Sequence, residues 1–297
     1  MAIPLEDNFT DIIGKAQRGL EILDSQLAEK SAVNIQQIQK IRGGELDQAA
    51  IRAIAPVLGL DPESLLESAL GKWKPETLPS VDGLAQFTTP YHDVTVNAYL
   101  AWDPASREAV AFDTGADCAE MLERIEKEKL TVKLILLTHA HDDHIADLRR
   151  LRKKTGAPVY ISEREGVEGA ELISEGRKFD VGKLDVESRL TWGHSRGGMT
   201  YVVRGLARPV AIVGDSLFAG SMGGGMVSYD DALRNNLEKI LTLPEETILC
   251  PGHGPLTTVG EEKHHNPFFA EHWRWGETLS SRQMRRLHRA WPYQRGI

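Results

Sequence analysis

What most constrains this chain is a set of metal-ligand side chains at the end of an apolar run. The segment VKLILLT, Val132 to Thr138, leads directly into His139, His141, Asp143 and His144, the pattern H-x-H-x-D-H. The run is too short for a typical helix and reads as a buried strand. Functional sites in α/β folds form where such strands end. Imidazole and carboxylate together suit zinc, iron or manganese, and in a turn leaving the strand His139 and His141 can converge on one ion while Asp143 and His144 face a second. A solvated loop, or a helix N-terminus with its dipole facing Asp142 and Asp143, leaves three histidines unexplained. Two ions need more than four protein donors, so the fold must bring others.

Three candidates stand later in the chain. His194 lies in TWGHSRGG before the apolar MTYVV, Asp215 lies in VAIVGDSLF, and His253 follows TILC in LCPGHGP. Each is a single polar donor beside glycine at the end of a predicted strand. Taken alone, each histidine could be a loop residue and Asp215 a helix cap. Beside the first motif, the three complete a ligand set, and five of the ten histidines are then accounted for.

The 297-residue length suits two domains, and 41% hydrophobic with 26% charged residues is ordinary globular composition. Residues from about 8 to 70 carry helical periodicity, with Ile35, Ile38 and Ile41, then Ile51, Ile54 and Leu58. Asn34 offers a cap, Gly43-Gly44 a stop, and Asp61-Pro62-Glu63 a further helix start. Gly71 to Gly83 reads as a linker with a boundary near Pro79, which predicts a small all-α domain over 1–76 and a catalytic domain over 80–297. In the second, strands at VTVNAYLAW, EAVAFDTG, VKLILLT, APVYIS, TYVVRG, PVAIVGD and TILCPG alternate with helices at AEMLERIEKEKL, IADLRRLRKKTG and ALRNNLEKIL, an α/β pattern. Cys118 and Cys250 read as buried small residues rather than a redox pair. The acidic N-terminus lacks a signal peptide's features and no apolar run reaches the roughly 18 residues of a membrane span, which predicts a cytoplasmic protein without membrane contact. A net charge of −8 disfavours non-specific attraction to nucleic acid or anionic lipid.

H-x-H-x-D-H, G-H, G-D-S and P-G-H-G-P, in this order, resemble the metallo-β-lactamase superfamily, and GDSLFAGS followed by PGHGPLTTVGEEKHHNPFF is similar to its glyoxalase II-like branch. The resemblance covers about residues 83 to 270. It implies an αββα sandwich with two divalent ions, zinc first and iron or manganese as alternatives, at the edge between two sheets. It also implies roles: His139, His141 and His194 on the first ion, Asp143, His144 and His253 on the second, and Asp215 bridging them. Asp113 in F-D-T-G matches a structural Asp of the family that orients a ligand loop, although a plain turn residue is an equal reading. An Asp rather than a Cys at 215 separates the chain from the common zinc β-lactamases, so thioester, ester or phosphoester cleavage ranks above β-lactam cleavage. Two ions sharing a water lower its pKa from about 15.7 towards neutrality, and a departing thiolate needs no strong general acid. Departures fall at Met222 to Met226, which replaces the usual Arg-Thr-Asp stretch, and at His264 and His265 before N-P-F. Beyond His272 and Trp273 the chain is basic and aromatic, with surface packing the favoured reading.

Residues about 15 to 70 resemble the helix-turn-helix domain of the XRE/Cro-like family. That resemblance would place Gln36, Gln37, Gln39 and Lys40 on a recognition helix facing DNA. Residues 1 to 76, however, hold eight Lys and Arg against twelve Asp and Glu. DNA binding normally draws on phosphate neutralisation, so packing on the catalytic domain or on a second copy of the chain is favoured over DNA. The expectation is a binuclear metal-dependent hydrolase acting on a small thioester or related ester, similar to hydroxyacylglutathione hydrolases. The alternatives are a mononuclear iron enzyme resembling persulfide dioxygenases, and a DNA-binding regulator with a sensory metal domain.

Overall fold

The computed structural model describes residues 3–273, so the basic and aromatic tail beyond Trp273 lies outside the described residues. Five helices come first: α1 (Phe9–Gly19), α2 (Asp24–Ser31), α3 (Ile35–Arg42), α4 (Gln48–Ile54) and α5 (Pro62–Ala69). Their starts follow local chemistry. Asn8 accepts the Thr10 and Asp11 N–H groups while the Asp11 carboxylate accepts the Asn8 N–H. Asn34, Asp47 and Asp61 each accept an N–H from the first turn that follows. Ile38, Ile41, Ile51 and Ile54 are fully buried, as their spacing predicts. On the outer side of α3, Gln36, Gln39 and Lys40 are exposed, Gln37 is half-buried, and Lys40 pairs with Glu45 at 3.7 Å.

Two six-stranded sheets follow. The first runs in spatial order β1 (Leu84–Tyr91), β2 (Val94–Trp102), β3 (Glu108–Phe112), β4 (Thr131–Leu136), β5 (Val159–Ser162) and β6 (Glu171–Ile173). The second comprises β7 (Lys178–Val181), β8 (Leu184–Leu190), β9 (Met199–Arg204), β10 (Val210–Gly214), β11 (Ile248–Pro251) and β12 (Thr257–Thr258), ordered from β12 back to β7. Helices α6 (Ala119–Glu128), α7 (Asp142–Ile145) and α8 (Leu148–Thr155) belong to the first half, and α9 (Tyr229–Asn235), extended by a π-helical turn, and α10 (Val259–His265) to the second.

Side-chain alternation assigns each face to a layer. Tyr99, Ala101, Val110 and Phe112 of the first sheet meet Tyr201, Val203, Val210 and Ile212 of the second in the central core. Their sequence neighbours Leu100, Ala109 and Ala111 point outward under α6 and α8. On the other side, Val202, Ala211, Val213 and Leu249 point outward onto Ile12, Ile13, Ile51 and Ile54 of the N-terminal helices, and onto Leu237 and Val259. The result is the αββα sandwich, with the N-terminal helices sharing the outer core of the second sheet. The region read as a linker is also held down, since a Cβ on Gly220 would meet the Trp73 ring at 2.5 Å and Trp73 stacks on His265.

Several elements depart from the sequence reading. The helix expected from Ile145 is split into the single turn of α7 and the separate α8, because Asp147 between them leaves helical geometry and accepts the Cys118 N–H. Strands β1, β6, β7, β8 and β12 are additional to those the sequence pattern predicts. β6 and β12 are only three and two residues long, too brief to show a period. Cys118 and Cys250 are buried free thiols. Among the described residues no helix is long and apolar enough to cross a membrane.

Because Val202, Ala211, Val213 and Leu249 have their outer cover in the helical segment, deleting residues 1–76 uncovers an apolar face of the second sheet. The truncated chain is expected to elute from size-exclusion chromatography as aggregates or enlarged species. A monodisperse truncation with an unchanged melting temperature would show that the shared core is dispensable.

Candidate metal centre

Strand register decides which side chains meet. The parallel pairing of Phe112 with Leu136 sets Asp113 beside the Leu137-Thr138 turn, where its two oxygens accept the Thr138 N–H and hydroxyl, each at 2.7 Å. In the other sheet Gly214 pairs with Pro251, and the Gly252 N–H donates to Gly214 O, so Asp215 and His253 emerge side by side. Bonds between the sheets bring the two edges into line. Met199 N donates to Thr138 O, the Tyr201 hydroxyl to Leu137 O, the Tyr99 hydroxyl to Pro251 O, and the Asn97 side chain to Pro251 O and Gly254 O.

All seven residues singled out in the sequence converge here, in two groups: His139, His141, His194 and Asp215, and Asp143, His144 and His253. In the first, His141 Nδ1 is 2.9 Å from His139 Nε2 and 3.1 Å from His194 Nε2, which stands 3.3 Å from Asp215 Oδ2. In the second, His253 Nε2 is 3.3 Å from Asp143 Oδ2 and His144 Nε2 is 3.8 Å from it. Asp215 lies between the groups, with Oδ2 3.4 Å from His253 Nε2 and Oδ1 3.2 Å from His144 Nε2.

The nitrogen turned away from the cluster is anchored on four of the five rings. His144 Nδ1 donates to Asp113 (2.8 Å), His253 Nδ1 to Thr95 O (2.6 Å), and His194 Nδ1 to Gly224 O (3.1 Å). The Thr138 hydroxyl gives its proton to Asp113, so it accepts from His139 Nδ1 at 3.0 Å. Each of these tautomers leaves Nε2 facing inward with a lone pair. Protons satisfy such a cluster only in part. Buried His144 Nε2 and Asp215 Oδ1 face each other yet make no hydrogen bond. A cation accepting several lone pairs at once satisfies them all, and five imidazoles with two carboxylates are the donor set that suits one. Space is tight as well: a Cβ on Gly252 would stand 2.1 Å from Asp215 Oδ1 and 2.6 Å from His144 Cε1.

The charge balance follows from this crowding. Burial opposes charge on His144, but Asp215 and Asp113 outweigh it and raise its pKa to about 10. Burial likewise opposes charge on His253, and Asp215 and Asp143 lift it to about 11. Asp215 is driven well below the ordinary carboxylate range; burial works against this, and His144 and His253 prevail. Asp143 is lowered too, with burial again opposing and the His253 hydrogen bond prevailing. Burial, reinforced by neighbouring imidazoles, pushes His139 down, and burial also lowers His194.

Apart from Asp113, the groups that hold the ligands from outside are not among the sequence expectations. Thr138 stands directly before His139 in T-H-A-H, so its position was visible although its relay to Asp113 was not. The carbonyls of Thr95 and Gly224 leave no side-chain signature. Asp113 takes the relay position, accepting from Thr138 and His144 while its backbone holds a left-handed φ of 56°.

Comparisons with known proteins agree with this geometry. The profile of the metallo-beta-lactamase superfamily matches residues 93–253. A probable metallo-hydrolase, YqgX of Bacillus subtilis, is 33% identical over 205 residues, covering 60% of this chain and 94% of the relative. The hydroxyacylglutathione hydrolase GloC of Haemophilus influenzae is 27% identical over 197 residues, covering 58% and 92%. Among solved structures, the BLEG-1 B3 metallo-beta-lactamase superposes with a TM-score of 0.54 at 33% identity, covering 62% of this chain and 98% of its own.

Two predictions follow from the hydrogen bonds and charges. Asp113→Asn sets an amide against the His144 Nδ1–H and the Thr138 donors, and should weaken metal affinity by roughly 10- to 100-fold with little change in far-ultraviolet circular dichroism. Unchanged affinity in a chelator competition would remove Asp113 from the site. In the metal-free protein, His144 and His253 titrate near 10 and 11 against an ordinary 6.5, so their stabilising charge is full below 6.5 and is lost as pH rises through those values. Metal binding requires both rings neutral, so loading at neutral pH should release about two protons from them. Calorimetric titration in buffers of different ionisation enthalpy measures that number, and a value near zero would contradict the charge assignment.

Proposed function

Since the chain belongs to the metallo-beta-lactamase superfamily, we propose that it is a binuclear metal-dependent hydrolase whose substrate is a thioester or a related activated ester. His139, His141, His194 and Asp215 would hold one ion, Asp143, His144 and His253 the other, and Asp215 would face both. When bound, such a pair of divalent ions supplies hydroxide at neutral pH and polarises a scissile carbonyl. The completeness of the second group favours two ions over the single iron of a dioxygenase-like enzyme.

The observation that carries the thioester reading is that the tyrosine and lysine donors near the site are committed. The Tyr99 and Tyr201 hydroxyls donate to backbone carbonyls, and the Lys15 ammonium is held by Asp7 and Met222 O. The inward ring nitrogens of His139, His194, His144 and His253 are taken by the ligand role. A leaving group that departs as an anion suits this arrangement, and a thiolate does so more readily than an alkoxide or an amide. Substrate would approach from the side of His141, which is exposed. On that side Gly224 O holds His194, and just beyond it Met226 and Val227 offer exposed apolar surface for an acyl chain. The likeness to a hydroxyacylglutathione hydrolase supports the reading, and the likeness to a B3 β-lactamase places β-lactams among the compounds to test.

The test is metal analysis with a substrate panel. Replete protein should carry about two metal equivalents, and among a thioester, an oxygen ester, a phosphodiester and a β-lactam, kcat/KM should be highest for the thioester. Asp215→Asn should lose at least ~100-fold in turnover together with bound metal. A β-lactam turned over faster than every thioester, or full activity with one equivalent, would overturn the reading.

A further inference from the structure

The matched superfamily region begins at residue 93, yet the chain ahead of α1 reaches the metal centre. A Cβ on Gly254, the residue after His253, would stand 3.2 Å from Glu6 N and 3.6 Å from both Glu6 Cβ and Pro4 O. Residues 4 to 6 are therefore laid across the turn that carries His253. They are fastened there by Asp7, just ahead of α1, and by Lys15 within it. Asp7 takes the Lys15 ammonium and the Ser221 hydroxyl, and Lys15 also donates to Met222 O at 2.9 Å. The same ammonium lies 4.9 Å above the Phe218 ring, which meets His253 edge-on at 5.6 Å.

This clamp has a consequence for charge. Asp7 and Lys15 neutralise each other, whereas no ion pair joins Glu6 to a basic residue among the described residues. Glu6 is half-buried with its backbone and Cβ against Gly254, the neighbour of His253; burial raises its carboxyl pKa, and the nearby His253 lowers it. We propose that Glu6 is a specificity-determining residue whose carboxylate, beside the turn that carries His253, selects neutral or cationic substrates over anionic ones. This deepens the hydrolase reading and rests on it for the identity of the substrate, but the charge selection itself does not require turnover. Two like charges about 8 Å apart at a partly solvated site change relative affinity by roughly threefold to thirtyfold, depending on the local dielectric.

The experiment compares wild type with Glu6→Gln and Glu6→Lys at mildly alkaline pH and low salt. The cobalt-loaded protein, whose visible spectrum reports ligation, is titrated with two thiols of similar size and different charge, mercaptoacetate and 2-mercaptoethanol. The affinity ratio of anionic to neutral thiol should rise roughly threefold to thirtyfold in Glu6→Gln and further in Glu6→Lys, and high salt should compress the series. The kcat/KM ratio for an anionic over a neutral acetyl thioester should move in the same direction. A thiol ratio that is flat across the three proteins overturns the proposal. Loss of turnover on every thioester, with the graded thiol ratio intact, overturns the hydrolase reading and leaves the charge selection standing.

Discussion

Five imidazoles and two carboxylates crowd into one small volume with their lone pairs turned inward, and the surrounding structure exists to hold them that way. Such a cluster repels itself unless protons or cations fill it. Its geometry is therefore imposed from outside, by Asp113 and Thr138 on the first sheet and by the carbonyls of Thr95 and Gly224. Backbone acceptors are well suited to this task, because they carry no proton of their own and cannot swing away as a surface side chain can.

Those anchors work only if two strand edges from different sheets stay in register. The bonds from Met199, Tyr201, Tyr99 and Asn97 across the sheet interface provide that alignment, and the central core between the sheets excludes the water that would compete for them. The loop after Asp215 is fixed by a further buried group. Glu262 accepts from Gly220 N, the Thr257 hydroxyl and the Asn266 amide; burial raises its pKa to about 8, while those donors pull it down. The N-terminal helices press on the same loop through Asp7 and Lys15. The helical segment is thus continuous with the metal centre in its packing as well as in the chain.

The helical pattern of the first seventy residues was legible because the isoleucine spacing matches one helix face, and that face is buried except at Ile35, which is half-buried at the start of α3. What the face rests on was not legible. Ile12 and Ile13 look alike whether they close a small independent bundle or cover a sheet, and only the structure sets them on Ala211 and Leu249. The hairpin β7–β8 alternates clearly, with buried Val186 between half-exposed Asp185 and Glu187, but no ligand motif drew attention to it.

The ligand types are a local property. A histidine or aspartate at the end of an apolar strand, next to glycine, is recognisable without any partner, so the sequence alone determined the candidate donors, the α/β alternation around them and the helical segment ahead of them. Which donors share a group, which nitrogen each ring turns inward, and the approach of Glu6 to His253 were decided by tertiary structure. These depend on strand register within each sheet, on bonds between the sheets such as those from Asn97 and Tyr99 to Pro251, and on backbone carbonyls that every residue possesses. A one-residue slip in either sheet would turn the same side chains to the opposite face and disperse the site.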